Sequence, residues 1–177
     1  MNPMTLDPKP PRDSYVHMTE LVHPGDTNPM GNIFGGKVVS LMDVAAAIAA
    51  MRHCRRPVVT ASIDRVDFIS PIRIGQIVSL SAAVNFTART SLEIGVKVES
   101  ENPMTGERRH TASAYLTFVA LDDQGHPCAV PPLTPETPDE QRRFAAGSRR
   151  RDERVRRRAE ERAARAAHTV DPTGTRG

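Results

Sequence analysis

The chain has 177 residues, 38% of them hydrophobic, which suits one ordinary domain with its own core plus flanking segments. Its longest apolar run, VAAAIAAM at 44–51, is far too short to span a bilayer, and the opening MNPMTLDPKPPRDS lacks the basic and apolar regions of a secretion signal, so cytoplasmic residence is expected. The net charge of +3 is unevenly held: residues 1–133 carry 12 Lys/Arg against 13 Asp/Glu, whereas residues 134–177 carry 12 against 8.

In chain order, four prolines within residues 1–13 mark a flexible N-terminal segment. YVHMTELV at 15–22 suits a first strand. From 35 to about 53 the periodicity becomes helical: Val38, Leu41, Met42, Ala45, Ile48 and Ala49 form one apolar arc at about 100° per residue, the side expected to press on a sheet. Four β-rich segments follow near 58–69, 76–88, 91–101 and 108–121. Val78, Leu80, Ala82, Val84 and Phe86 alternate with Ser79, Ser81, Asn85 and Thr87, and Leu92, Ile94, Val96 and Val98 oppose Glu93, Lys97 and Glu99.

The connections between these four segments, SPIRIG at 70–75, a turn near 88–90 and NPMTGE at 102–107, are too short for a crossover helix. An antiparallel meander is therefore predicted. The order βαββββ gives an α+β fold, a five-stranded antiparallel sheet wrapped around one long central helix, over residues 14–133. PPLTPETPDE at 131–140 carries four more prolines and closes that body.

Beyond it, DEQRRFAAGSRRRDERVRRRAEERAARAAH at 139–168 offers acid-to-base pairs at helical spacing, such as Asp152 with Arg156 and Glu161 with Arg165. Its apolar stripe, Val155, Ala159, Ala163 and Ala166, is thin. The prediction for residues 134–177 is a linker and a solvated tail, partly helical or disordered, that adds nothing to a functional site. Binding of nucleic acid or an acidic surface through its arginines is the functional alternative.

No His or Cys spacing suggests a metal, no GxSxG elbow is present, and Cys54 and Cys128 read as free thiols, so neither metal nor cofactor is expected. Cys54 stands beside His53 at a helix end without a placed base and reads as inert.

The chemistry concentrates in DTNPMGNIFGGKVVSLMDVAAAIAAM at 26–51. Asp43 is the one carboxylate inside an apolar helix, and it lies off the predicted sheet-facing arc beside Val39, Ala46, Ala47 and Ala50. That side is also built for close contact, most economically with the same helix of a second subunit, which leaves Asp43 partly desolvated and suited to proton transfer. At Gly35 and Gly36 the free N–H groups of a helix N-terminus would stabilise an oxyanion, with no Cβ to block its approach. Each feature alone has a structural reading: the glycines as a packing or turn device, Asp43 in a buried hydrogen bond, Asn28 as a turn or capping residue.

DTNPMGNIFGGKVVSLMD followed by DFISPIRIGQIV, ARTSLEIGVKV and ASAYLTFVALD resembles the hotdog-fold acyl-CoA thioesterases, both the short bacterial single-domain enzymes and the tandem cytosolic acyl-CoA hydrolases of animals. The likeness covers residues 14–133. It implies a dimer as the minimal active unit, often three dimers to a hexamer, and hydrolysis of acyl-CoA to free acid and CoA. By position it implies that Asp43 is the catalytic carboxylate, as general base or nucleophile, that Asn28 orients water or the thioester, and that Gly35 and Gly36 face the thioester oxygen. Arg89, Thr90 and Ser91 would meet the CoA phosphates. Two other readings stay open, a non-catalytic acyl-CoA-binding protein on the same fold and an oligomeric scaffold acting through the basic tail.

Overall fold

The structure, a computed structural model, describes residues 6–168; residues 1–5 and 169–177, the outer parts of the N-terminal segment and of the tail, lie outside the described residues. Strand β1 (Val16–Leu21) is followed by helix α1 (Gly35–Cys54), strands β2 (Val58–Phe68), β3 (Ile77–Thr87), β4 (Ser91–Glu101) and β5 (Arg108–Ala120), and a 31-residue helix α2 (Pro138–His168). The expected βαββββ order and the antiparallel sheet of five strands are present.

The sheet runs β1-β3-β4-β5-β2, all neighbours antiparallel, so the meander holds for β3 to β5 but not for β2. β2 pairs with β5 at the far edge instead of with β3. A short connection demands only that two strand ends be near in space, and a strongly curled sheet meets that demand across its open side. The 69–76 segment crosses over the start of α1, where the N–H of Ile33 donates to the carbonyl of Ile72 at 2.8 Å. Register shifts in β2, in β3 beyond Val84 and in the β4–β5 ladder near Val98 give the strands the bends that such curling needs.

The curl covers more of α1 than a flat sheet would. Val38, Leu41, Met42, Ala45 and Ala49 are buried as predicted, but Ala46 and Ala50 are buried with them at 0% exposure, and Ile48 is half-buried. The outward stripe is therefore narrower than the sequence implied: Gly36, Ser40, Val44 and Met51 are exposed, with Asp43 and Ala47 half-buried beside them. α1 ends where Arg55 turns left-handed (φ 53°) and returns its N–H to the carbonyl of Met51 at 2.8 Å.

The outer face of the sheet is not simply wet. The shift after Val84 turns Phe86 away from the core, opposite Glu93, against the strict alternation predicted for β3. There it meets Phe144 of α2, with ring centroids 5.1 Å apart. Gly147 follows one turn later, and a Cβ at that position would fall 2.7 Å from that of Phe86 and 3.0 Å from Glu93 Oε1. Glu93 is 1% exposed. Its carboxylate accepts from Arg150 Nη2 at 2.6 Å and Arg154 Nη1 at 3.0 Å, and the same Arg154 nitrogen donates to Asp64 on β2 at 2.5 Å.

Phe144, Gly147, Arg150 and Arg154 thus form one face of α2 that docks on the sheet, which corrects the reading of the whole tail as solvated. Charge counting could not distinguish inward arginines from outward ones. Past Arg154 the helix is exposed through residue 166, as expected for that half.

The segment before Ser14 is also tied down. Lys9 and residues 132–134 exchange backbone hydrogen bonds at 2.9 Å, and Lys9 Nζ donates to the carbonyl of His53 at 2.8 Å. Burial pushes the imidazole of His53 below its usual value, and its Nε2–H donates to Pro131 at 2.9 Å.

The ion cluster sets the first expected outcome. Glu93→Ala leaves two inward guanidiniums facing a cavity and should lower the unfolding free energy in urea by about 3 kcal/mol, the usual scale for breaking a buried pair. Truncation after Leu133 strands Phe86 and Glu93 together and should destabilise more. Unchanged urea midpoints in both would show that α2 does not stabilise the body.

Candidate active site

The loop before α1 is built around Asn28. Its Oδ1 accepts the N–H groups of Met30 at 3.0 Å and Asn32 at 3.2 Å, and its backbone N–H donates to the carbonyl of Asn32 at 2.8 Å. Gly31, with φ at +74°, closes this turn. Two backbone donors on one side-chain oxygen fix which end of the amide is which, and the Nδ2 donors are left without a hydrogen-bond partner among the described residues. Asn28 is therefore a turn residue, as its local sequence implies, and one that still holds out an N–H₂ group.

This loop is clamped to the helix start. The N–H of Phe34 donates to the carbonyl of Asp26 at 2.9 Å, and Lys37 Nζ lies 3.0 Å from Glu20 and 3.4 Å from Asp26. A cation in the first turn opposes the helix dipole, and these two carboxylates offset it. The Glu20 contact holds the Lys37 ammonium above its usual value.

α1 begins bare. Phe34 at the cap position is extended and supplies no side-chain cap, and among the described residues no hydrogen bond engages the N–H of Gly35 or Gly36. Both glycines are exposed. A Cβ on Gly36 would meet nothing within 4 Å, and one on Gly35 would touch the Phe68 ring at 3.4 Å, ordinary contact. Neither residue has a left-handed backbone. Packing inside this chain and turn geometry therefore give no reason for glycine at either position, which leaves close approach from outside the chain.

Asp43 lies seven residues beyond Gly36 on the same side of α1, about 10 Å along the axis. Thr60 on β2 donates its hydroxyl to Asp43 Oδ1 at 2.8 Å. Thr60 escaped the sequence reading because a threonine in the strand VVTASIDRVDF looks like any β-former. The bond fixes one carboxylate oxygen and leaves the other for chemistry.

The remaining predicted residues are not gathered around Asp43. Among the described residues no hydrogen bond joins Asn28 to Asp43. The Arg89–Thr90–Ser91 turn adjoins the start of β2 and the end of α1, since the N–H of Ala120 donates to the carbonyl of Thr90 at 3.1 Å and Ala120 pairs with Val58. It is therefore separated from Gly35 by most of the length of α1, about 30 Å for its 20 residues. Arg89 itself is exposed. Cys54 is buried and burial pushes its thiol up, in keeping with the inert reading.

Next to Gly35 opens a cavity of about 380 Å³, mainly apolar, lined by Ile33, Val38, Phe68, Ile69 and Ile72. That volume is within the range of roughly 300–1,000 Å³ common to small-molecule sites.

A curled antiparallel sheet wrapped around one long helix is the hotdog architecture. Residues 30–107 match the profile of the Thioesterase superfamily. The chain is 48% identical over 129 residues to the uncharacterized acyl-CoA thioester hydrolase YkhA of Bacillus subtilis, covering 73% of this chain and 75% of that protein. An apo-hexameric acyl-CoA thioesterase of known structure is 44% identical, with a TM-score of 0.83 over 87% of this chain and 99% of its own. The acyl-CoA hydrolase of Staphylococcus aureus, solved with butyryl coenzyme A, coenzyme A and coenzyme A disulfide, is 35% identical with a TM-score of 0.83 over 91% of this chain and 98% of its own.

This chain belongs to the thioesterase superfamily. The S. aureus match extends over more than residues 1–133 can hold, so part of the tail has a structural counterpart there. That enzyme has also been solved as Asp43→Ala, Asn28→Ala and Thr60→Ala variants, and the same three residue types carry the same three numbers here.

Two substitutions separate fold from chemistry. Gly36→Val puts a side chain into space that this chain leaves empty, so it should fold normally yet lose at least tenfold in kcat/KM for an acyl-CoA. Thr60→Val removes a hydrogen bond to a charged group and should lower kcat by roughly 10- to 100-fold. Unaltered kinetics in either would remove that residue from the site.

Proposed function

We propose that the chain is an acyl-CoA thioesterase of the cytoplasm that hydrolyses the thioester of acyl-CoA to a free fatty acid and CoA, and that it works as a homo-oligomer of dimers, a hexamer in its full form. The observation that carries this reading is the pairing of two features on one side of α1: uncapped N–H groups at glycines that this chain's own packing does not require, and Asp43 oriented by Thr60.

In this mechanism the thioester oxygen lies against the N–H groups of Gly35 and Gly36, which stabilise the negative charge that develops as the carbonyl becomes tetrahedral. Asp43 either takes a proton from the attacking water or attacks the carbonyl itself, forming an anhydride that water then opens. The amide N–H₂ of Asn28 orients the water or the thioester. CoA leaves as the thiolate and is protonated by solvent. Arg89, with the hydroxyls of Thr90 and Ser91, meets the CoA phosphates.

The spacing along α1 argues that these groups come from different subunits. Gly36 and Asp43 of one chain are about 10 Å apart along the axis, too far to act on a single carbonyl. Two α1 helices crossing on their exposed stripes would bring the N-terminus of one to the Asp43 of the other. Exposed Val44, Met51, Val59, Ile63 and Phe68 supply apolar surface for that contact. Nucleic acid has no part in the proposal; Arg150 and Arg154 are turned inward to Glu93 and Asp64, while the arginines past Arg154 stay exposed.

Release of free thiol from acyl-CoAs, acetyl to palmitoyl, tests the activity; Asp43→Asn should abolish it while the oligomer persists. Co-expression of Asn28→Ala and Asp43→Asn chains tests the shared site. Half of the randomly assembled dimers are mixed and each regains one intact site, so activity should return to about a quarter of wild type. Mixed dimers without recovered activity would place both residues in one chain's site.

A further inference from the structure

The cavity of about 380 Å³ opens where α1 begins, and Gly35 itself forms part of its wall. The Phe68 ring lies against Gly35, and Val38, one turn further along the helix, lines the cavity at 1% exposure. The inner wall is firmly held. The N–H of Ile69 donates to the carbonyl of Thr111 and the N–H of Ile33 to that of Ile72, both at 2.8 Å, which pins the 69–72 stretch between β5 and the loop before α1. Ile72 is buried. Thr111, also buried, is the residue of β5 that the register shift leaves without a partner on β4, and it turns its hydroxyl to Ser100 Oγ at 3.2 Å. On the solvent side the cavity is bordered by Phe68 and Ile69, 51% and 62% exposed.

No Asp, Glu, Lys, Arg or His stands among the described residues that line it, and its polar members, Asn32, Ser70 and Thr111, are uncharged. An ionised group entering this space would lose its water and gain no charged partner, which makes it costly there. A chain of methylenes meets the opposite condition, since each one taken out of water adds about fourfold in binding. Length is limited by room. A methylene occupies about as much space as a water molecule in the liquid, about 30 Å³. A cavity of about 380 Å³ therefore accepts about ten such groups once imperfect packing is allowed for.

We propose that this cavity receives the acyl chain and makes the site selective for uncharged acyl groups of about ten carbons or fewer, with Val38 and Ile69 setting the limit of length. The inference rests on the thioesterase reading for one point, that the thioester carbonyl lies at Gly35 and Gly36. The chain attached to that carbonyl then starts at the wall formed by Gly35 and runs inward past Val38 on the helix side and Ile69 on the solvent side. Methylenes beyond the capacity of the cavity stay in water and add nothing. An acyl group that ends in a carboxylate, such as succinyl, keeps its tail outside and gains nothing from the apolar walls.

Calorimetric titration of the full-length Asp43→Asn chain with acetyl-, octanoyl-, decanoyl-, palmitoyl- and succinyl-CoA reads the cavity without turnover. Octanoyl-CoA should bind at least twentyfold tighter than acetyl-CoA, palmitoyl-CoA no tighter than decanoyl-CoA, and succinyl-CoA no tighter than acetyl-CoA. Ile69→Ala, at an exposed position, should move the plateau to longer chains, whereas Ile69→Phe and Val38→Leu should move it to shorter ones. Affinity that climbs steadily to palmitoyl, succinyl-CoA that matches octanoyl-CoA, or a plateau that neither Ile69 variant moves would each overturn the proposal. Thiol release by the wild-type chain, measured on the same acyl-CoAs, keeps the two readings apart. The expected binding profile without turnover would end the hydrolase reading and leave the cavity assigned, while turnover with a binding profile indifferent to length and charge would do the reverse.

Discussion

Everything in this molecule depends on how closely a sheet can approach one helix. Ala45, Ala46, Ala49 and Ala50 are all at 0% exposure, and with such short side chains the strands close around α1 on more than one side. Larger residues at Ala46 and Ala50 would hold the sheet away and flatten it. Because the sheet curls instead, β2 swings round to the far edge and brings Thr60 to the half-buried flank of α1, against Asp43. The same wrapping leaves a narrow outward stripe on α1, which carries the bare N-terminus, Ser40 and Asp43.

The outer face follows from the inner one. A β-bulge that helps β3 to bend also rotates Phe86 out of the core, and an exposed phenylalanine beside a buried Glu93 would be a liability. α2 resolves both at once. Phe144 covers the ring, Gly147 permits contact, and Arg150 and Arg154 satisfy the carboxylate while tying β4 to β2 through Asp64. Because α2 runs on past Arg154 into exposed, charged turns, the docking is local to its first half.

Much of this was legible in the sequence, for reasons specific to each element. The switch from period 3.6 to period 2 after residue 53 placed the boundaries of β2 to β5 within about a residue, because half-buried strands must alternate. The glycine pair and Asp43 stood out because they break the pattern of an apolar helix. Strand order did not follow, since a short loop constrains distance but not pairing. Phe86 was assigned to the wrong face because a bulge has no signature beyond the one residue that it adds. The inward arginines were hidden because Arg150 and Arg154 differ from their neighbours only in what happens to lie beneath them, and the partner that matters, Glu93, is 57 positions from Arg150 in the chain. Thr60 failed for the same reason: its role exists only through a tertiary contact.

The proposed division of the site between subunits has a physical cause in the helix alone. A helix N-terminus acts only on what lies beyond its end, because its free N–H groups point along the axis. Asp43 is two turns behind that end, so a carbonyl held at Gly35 and Gly36, as proposed, would lie ahead of the helix while the carboxylate projects sideways from it. A single helix therefore cannot supply both groups to one reacting carbon, whatever the loop before it does. Two antiparallel helices in contact can, because the position beside Asp43 on one is then the position ahead of the glycines on the other. In the proposed mechanism oligomerisation would be part of building the reacting site, and the apolar residues of the outward stripe would share in catalysis by setting how far one helix slides along its neighbour.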